Sequence, residues 1–205
     1  YADNLVSLNS QVARDIVESD EFQQLWPLTI ANDAKAKKLW NVLRMSENKR
    51  PRKAGGVYAV ALGGQITGFR AGHMTQGFTG CIILDDPLKA KDAYSKTKRE
   101  GAIRELIATV RSRRALSTTP IVMIMQRLHE DDPANFVLKG GLPGVWKHIN
   151  IPSLIDQNYV DNLPEKYQAL IDNSDQDELG RFSYWPAKEP LEQLLQMEKG
   201  GLGDT

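Results

Sequence analysis

Two adjacent aspartates, Asp85 and Asp86, follow a short apolar run and precede Pro87. Four apolar residues followed by two acids form the Walker B pattern, in which the first carboxylate holds Mg²⁺, usually through water, and the second orients or deprotonates an attacking water. Neighbouring residues of a strand point to opposite sides, so the two carboxylates would splay over the edge of a sheet. A structural alternative stays open, because either aspartate could simply cap the turn before the proline.

A second polar pair, Gln126 and Arg127, follows the apolar run "TPIVMIM" at residues 119–125. A polar residue at a neighbouring strand end can contact the attacking water or the terminal phosphate and transmit the nucleotide state to the rest of a protein. Such a pair is equally compatible with ordinary surface polarity.

Two further groups could act on phosphate or metal. Arg70 lies between glycines in "TGFRAGH", where a guanidinium could reach a phosphate as an arginine finger does, or remain in solvent. The acidic run after His129, residues 130–132, could hold metal ions for a nuclease. Acids at the start of a helix are already explained by the helix dipole, however.

The first 72 residues contain a helix and a set of irregular or hairpin segments. Leu5, Leu8, Val12 and Ile16 recur at helical spacing and predict an amphipathic helix over residues 4–19. We expect a short helix at 34–43, a basic loop at 47–56 ("ENKRPRKAGG"), and a hairpin at 56–72 that turns at Gly63 and Gly64.

The middle of the chain alternates strands and helices. "GCIILDD" and "TPIVMIM" are continuous apolar runs typical of buried strands, and residues 103–110 between them predict a long helix. A short helix at 129–141 and a strand at 146–154 follow. This rhythm predicts an α/β fold with a mostly parallel sheet flanked by helices, whose strand carboxyl ends carry the chemistry.

Composition excludes several classes of protein. With 41% hydrophobic and 25% charged residues, the 205-residue chain is typical of a globular protein with about one domain. Cys81 is the only cysteine, so no internal disulfide can form and we interpret it as a core thiol in a reducing compartment. No run is long and apolar enough for a membrane span, so the sequence predicts a soluble, intracellular protein.

Charge is distributed unevenly although the net charge is zero. Residues 88–114 contain nine Lys or Arg and three acids, whereas residues 155–205 contain four basic and eleven acidic residues. Such asymmetry is typical of a polyanion-facing surface beside an acidic appendage, or of a solvated helix face beside an acidic tail.

Taken together, "GGQITGFRAGH", "IILDDPLKAKDAYSKTKRE", "IVMIMQRLHEDDP" and "FSYWPAKEPLEQLLQMEKGG", in that order, resemble the large terminase subunit of tailed bacteriophages and prophages. Members of that family join an ASCE-type P-loop ATPase to an RNase-H-like nuclease, cut concatemeric viral DNA and pump it into the procapsid. The resemblance implies an incomplete P-loop NTPase fold, because no GxxxxGK[ST] loop is present.

The resemblance also implies roles for individual residues. Asp85 falls on the magnesium-coordinating position and Asp86 on the catalytic carboxylate, where related ATPases often have glutamate. Gln126 and Arg127 fall on the coupling motif, where many members have Thr-Arg. Arg70 falls where an arginine finger could act between neighbouring subunits, and the basic helix after Asp86 could contact DNA phosphates.

On this resemblance, residues 1–154 are the later part of the ATPase domain and residues 155–205 are an acidic segment leading toward the nuclease domain. The implied cofactors are ATP and Mg²⁺, and the implied partners are double-stranded DNA, the small terminase subunit, the portal protein and further copies in a ring. We expect the chain to act in the bacterial cytoplasm, phage or prophage encoded, and to be inactive alone. A non-catalytic prophage remnant or DNA-binding scaffold, and a helicase-like ATPase, are the alternatives.

Overall fold

The computed structural model describes residues 2–64 and 68–202. The chain forms two compact units: Tyr1–Gln126 with Glu130–Phe136, and Arg127–His129 with Val137–Thr205. The division predicted at residues 154 and 155 stays a prediction. Within the described ranges, no helix combines the length and the apolar character that crossing a membrane requires.

The first unit begins with two helices, α1 (Ala2–Glu18) and α2 (Asp20–Leu25). The predicted amphipathic helix is confirmed, but its apolar residues Leu5, Leu8, Val12 and Ile16 are exposed. The opposite side of α1 contacts the following sheet, because the buried Ser10 hydroxyl accepts a hydrogen bond from Trp40 Nε1 at 3.0 Å. Helical periodicity therefore predicted the element, although it could not predict which face is covered.

Three antiparallel strands follow in the order β1 (Thr29–Lys35), β2 (Leu39–Met45) and β3 (Pro51–Tyr58). The helix predicted at 34–43 is wrong, since those residues form the β1–β2 hairpin instead. The loop predicted at 47–56 is wrong beyond residue 50, because β3 pairs with β2 along its whole length. Gly56 permits this pairing: a Cβ there would lie 2.9 Å from the carbonyl oxygen of Trp40.

A tight turn joins β2 to β3. The Ser46 amide donates to the Arg50 carbonyl at 2.9 Å, and the Lys49 amide donates to the Ser46 carbonyl at 2.8 Å. Lys49 has a φ of 55°, in the left-handed region that glycine adopts without strain. A lysine there costs roughly 1 kcal/mol relative to glycine, so this turn holds a charged side chain at an energetic disadvantage.

The hairpin predicted at 56–72 is not found in its described part. Tyr58 ends β3, residues 62–64 turn, and residues 65–67 lie outside the described residues. Ala71 instead makes an isolated parallel bridge with Arg114. Of the residues predicted as the first strand of this hairpin, 56–58 pair with β2, the preceding strand, rather than with the segment that follows.

A crossover unit completes the first unit. Strand β4 (Ile82–Asp85), helix α3 (Lys96–Arg113) and strand β5 (Ile121–Ile124) all confirm the sequence predictions, and β4 pairs with β5 in parallel. Helix α4 (Pro133–Leu138) follows as predicted. The class is therefore mixed α/β with small sheets, and among the described strands β4 and β5 form the one parallel pair, beside the isolated Ala71–Arg114 bridge.

The second unit has a small core of its own. Strands β6 (Leu154–Ile155) and β7 (Phe182–Ser183) pair in antiparallel fashion and bury Ile155 and Phe182 together with Val160. The other elements are α5 (Gln157–Asp161), α6 (Glu165–Gln168), α7 (Leu191–Met197) and a π-helical turn, Glu198–Leu202. The strand predicted at 146–154 is wrong except at Leu154, its last residue.

Arg181 links two segments of the second unit. Its guanidinium binds both carboxylate oxygens of Glu198, at 2.8 and 2.9 Å, and the carboxylate of Asp177 at 2.8 Å. The pKa of Glu198 is lowered mainly by this hydrogen bond. The pKa of Asp177 is lowered mainly by the backbone amide of Arg181. This cluster is fully explained as a structural clamp on the end of α7.

Candidate functional site

The carboxyl ends of β4 and β5 meet at one edge of their sheet. The parallel register places Asp85 opposite Ile124, and the Asp86 amide donates to the Ile124 carbonyl at 3.0 Å. Gln126 lies two residues after the end of β5. The two aspartates and Gln126 therefore leave the sheet at the same edge, as their positions at neighbouring strand ends predict.

Asp86 has an unusual backbone conformation. Its φ is 42°, and among the described residues only Lys49 shares a positive φ without being glycine. Aspartate tolerates this region better than most residues, but the conformation still costs of order 1 kcal/mol. Strained residues of this kind cluster at active sites, because a functional orientation is held at the expense of stability. The turn thus aims Asp86 differently from a residue that merely continues the strand.

Both carboxylates are open to solvent, and one face of the sheet beside them is apolar. Asp85 and Asp86 are exposed, and Ile83, two residues before Asp85, is 62% exposed. On β5, Val122 and Ile124 are also exposed, and they lie opposite Ile83 and Asp85 in the register. Leu84, which points to the other face, is buried. Asp85 therefore stands at the carboxyl end of an open apolar surface.

The chemistry of the two aspartates fits Mg²⁺. This ion prefers oxygen ligands and commonly takes one or two carboxylates, with water and substrate phosphates as the other ligands. A closed protein cage is not needed. In the described part of the chain no three His, Cys, Asp or Glu side chains are grouped closely enough to hold a metal ion by themselves. Any ion at Asp85 and Asp86 would therefore depend on water or a bound phosphate for its remaining ligands.

The other predicted site residues lie in different environments. Gln126 is exposed in the first unit, whereas Arg127, also exposed, belongs to the second unit. The roles predicted for this pair stay predictions. Although Arg127 directly follows Gln126 in the sequence, this adjacency does not by itself place the Arg127 side chain near the aspartates.

Arg70 lies near the opposite ends of the strands. The next residue, Ala71, donates its amide to the carbonyl of Arg113, at the end of α3, at 2.8 Å. A Cβ at Gly72 would lie 3.4 Å from the Thr119 hydroxyl, just before β5 begins. Asp85 and Asp86 stand at the other ends of these strands. Arg70 is thus not grouped with the aspartates within this unit, and the role predicted for it stays a prediction.

The acidic run at 130–132 has structural partners. Asp132 is fully buried, and its carboxylate accepts a hydrogen bond from the Asn135 amide at 2.8 Å, in the first turn of α4. Asp131 pairs with Arg99, at 3.8 Å between Nη2 and Oδ2. The interpretation of this run as helix capping therefore accounts for Asp132, and no nuclease site is needed to explain its burial.

Arg99 is a buried cation that sequence reasoning missed. Only 7% of the residue is exposed, and its Nη1 donates to the carbonyl of Ala93 at 2.7 Å. Through Ala93 it holds the segment that follows Asp86, and through Asp131 it reaches the segment that follows Gln126. The signal was present in the sequence, since Arg99, Ile103 and Leu106 share one face of α3 at helical spacing.

We expect Arg99→Met to lower the free energy of unfolding by about 2 kcal/mol, because the buried Ala93 carbonyl loses a charged donor. Asp131→Asn should lower it by less than about 0.5 kcal/mol, because the Asp131 side chain is 71% exposed and its ion pair is long. Urea unfolding of both variants measures the difference. Equal losses would show that the ion pair, rather than the carbonyl contact, makes Arg99 important.

Comparison of the chain with protein-family models, with curated protein sequences and with solved structures finds no match.

Proposed function

We propose that this chain is part of the ATPase domain of a large terminase subunit, in which ATP hydrolysis drives double-stranded DNA into a viral procapsid. One observation carries the proposal: twin aspartates at the carboxyl edge of a parallel strand pair, the second held at a φ of 42°. A turn before Pro87 can hold an aspartate at positive φ, but it gives no reason for a second acid beside it at the same strand edge. The ordered motifs that resemble the terminase family supply the choice among nucleotide hydrolases.

In this proposal Asp85 would hold Mg²⁺, which when bound would neutralise phosphate charge. Asp86 orients the attacking water and accepts its proton, and its exposure leaves it accessible to that water. Gln126 leaves the sheet at the same edge, where an amide could contact the same water. Arg70, near the opposite strand ends, fits a finger that acts on the site of a neighbouring copy.

The wider assignment comes from the family resemblance. It includes a P-loop NTPase fold of the ASCE type, a ring of copies, the small terminase subunit and the portal as partners, and action in the bacterial cytoplasm. The 205 residues contain no GxxxxGK[ST] loop. We therefore expect hydrolysis only from a protein that joins this chain to such a loop, which the proposal takes as the full-length protein.

We expect the Asp85→Asn variant of the full-length protein to need about 10- to 100-fold more Mg²⁺ for half-maximal ATP hydrolysis, as when a water-mediated metal partner is lost. Titrating Mg²⁺ while following phosphate release measures this shift. Asp92→Asn, in the short 3₁₀ helix Ala90–Asp92 after the site, is the matched control and should behave like wild type.

An unchanged Mg²⁺ dependence in Asp85→Asn would contradict the proposed metal role. Absence of any hydrolysis by the full-length wild-type protein would instead favour the non-catalytic DNA-binding scaffold. A helicase-like ATPase would hydrolyse ATP with the same metal dependence but would separate strands, which an unwinding assay on forked DNA detects.

A further inference from the structure

We propose that the tip of the β2–β3 hairpin, residues 44–53, binds the phosphate backbone of duplex DNA. This segment, the basic hairpin, contains five cations and a single acid, Glu47. All five cations are exposed, and within the described ranges none of them makes an ion pair. They are Arg44, Lys49, Arg50, Arg52 and Lys53.

Two of these cations face each other directly. Arg44 and Arg52 are partners in the antiparallel register of β2 and β3, on the same face of the ribbon. Like charges at directly opposite positions destabilise a strand pair. Folding alone therefore does not explain this arrangement. An anionic partner between or above the two guanidinium groups would turn their unfavourable electrostatic energy into a favourable one.

The turn that presents the cations is well ordered. Four hydrogen bonds close it between Ser46 and residues 49 and 50: besides the two amide bonds that define the turn, the Ser46 hydroxyl donates to the Arg50 carbonyl at 2.9 Å and accepts from the Arg50 amide at 3.2 Å. Lys49 occupies the left-handed position where glycine would be unstrained. A rigid turn loses little conformational freedom on binding, which favours recognition of a regular polyanion.

Duplex nucleic acid fits this surface better than a membrane does. Its backbone carries about one charge per 1.7 Å of axis, and a two-stranded ribbon can enter its major groove. Arg44 and Arg52 stand directly opposite each other on neighbouring strands, about 5 Å apart, and Arg50 lies in the adjoining turn, so several phosphates can be contacted at once. Membrane-surface segments add bulky apolar residues that insert between lipids, and Met45 is the one large apolar side chain of the basic hairpin.

The basic helix α3 is the competing surface in the same chain. Its exposed residues Lys96 and Arg104 each have Glu100 within 3.9 Å. Its first-turn Arg99 is buried. Lys96, Arg99 and Arg104 of α3 are thus partly neutralised or occupied, and Lys98 is its exposed cation without an ion pair in the described ranges, whereas all five cations of the basic hairpin are available to a partner. The structure assigns the phosphate contacts to the hairpin rather than to α3.

The test measures binding of the 205-residue chain to a fluorescent duplex of about 30 base pairs, roughly three helical turns, by anisotropy over a salt series. In the hairpin variant, Arg44→Gln, Arg50→Gln and Arg52→Gln are combined. The slope of log K against log salt should become less steep by about 3, and affinity near 100 mM salt should fall at least roughly 100-fold. The circular dichroism melt should be unchanged or higher, because the Arg44–Arg52 repulsion is removed.

The matched control combines three substitutions on α3: Lys96→Gln, Lys98→Gln and Arg104→Gln. It removes the same charge and should change the slope by less than about 1. An equal loss in both variants, or none in the hairpin variant, would overturn the proposal. So would a hairpin variant that keeps duplex binding but loses binding to vesicles of phosphatidylcholine and phosphatidylglycerol.

This inference rests on the proposed function only for choosing DNA as the polyanion, since binding needs neither nucleotide nor Asp85. The two can therefore fail separately. Normal Mg²⁺ dependence in Asp85→Asn together with weakened duplex binding in the hairpin variant would refute the motor and retain the hairpin. A shifted Mg²⁺ dependence in Asp85→Asn together with unchanged duplex binding in the hairpin variant would refute the hairpin and retain the motor.

Discussion

Replacing Asp86 by asparagine in the full-length protein should lower the rate of ATP hydrolysis by about 100- to 10,000-fold, the range that a positioned general base contributes. An amide cannot accept the proton of the attacking water, although it keeps the size of the carboxylate. Asparagine also tolerates positive φ as well as aspartate does, so the strained turn at 42° is preserved. The loss would then report the missing charge rather than a rearranged backbone.

Three comparisons make this result interpretable. Asp86→Glu keeps the charge on a longer side chain, so it should retain more activity than Asp86→Asn. Asp92→Asn should match wild type. The concentration of ATP at half-maximal rate should change little in Asp86→Asn, because Asp86 is assigned to water rather than to nucleotide. Turnover like that of wild type in Asp86→Asn would remove the central residue of the proposed mechanism.

Substitution by alanine addresses the strain itself. Alanine adopts positive φ less readily than aspartate or asparagine, so Asp86→Ala changes both the charge and the turn. If the left-handed conformation aims the carboxylate, stability of the Asp86→Asn variant should stay at the wild-type value while hydrolysis falls. If stability and hydrolysis fell together in Asp86→Asn, the residue would shape the turn and nothing more.

The elements around the site were predictable because their signals are local. Continuous apolar runs give β4 and β5, and the spacing of Ile103, Leu106 and Ile107 gives α3. Consecutive strands joined by a helix pair in parallel for reasons of chain geometry, so the parallel pairing of β4 with β5 was predictable, whereas the register that sets Asp85 opposite Ile124 was not. The left-handed turn at Asp86 has no such signal, because an Asp-Pro sequence is common in turns of many kinds.

The three-stranded sheet was missed for the opposite reason. Residues 51–56 read "PRKAGG", with a proline, two cations and two glycines, which strands disfavour. They form β3 because β2 lies beside them, and a strand's preference depends on its partner more than on its own residues. Residues 146–151 show the converse, since their apolar alternation finds no partner and forms no strand.

Phe182→Ala should lower the free energy of unfolding of the second unit by about 3–5 kcal/mol, the usual cost of removing a buried aromatic ring. Phe182 is 1% exposed and packs with Ile155 and Val160. Because this core is so small, few neighbouring side chains are available to repack into the cavity that the lost ring would leave. That loss is a large part of the roughly 5–15 kcal/mol that stabilises a typical domain, so the unit could unfold at ambient temperature.

Urea unfolding and amide hydrogen exchange across residues 150–200 measure this effect. Leu170→Ala is the matched control, because Leu170 is exposed and its truncation should change stability by no more than about 0.5 kcal/mol. Exchange at β4 and β5 shows whether the first unit keeps its protection when Phe182 is lost. A fall in the free energy of unfolding of less than about 1 kcal/mol in Phe182→Ala would contradict this prediction, because a ring at the centre of the core should leave a costly cavity when it is removed.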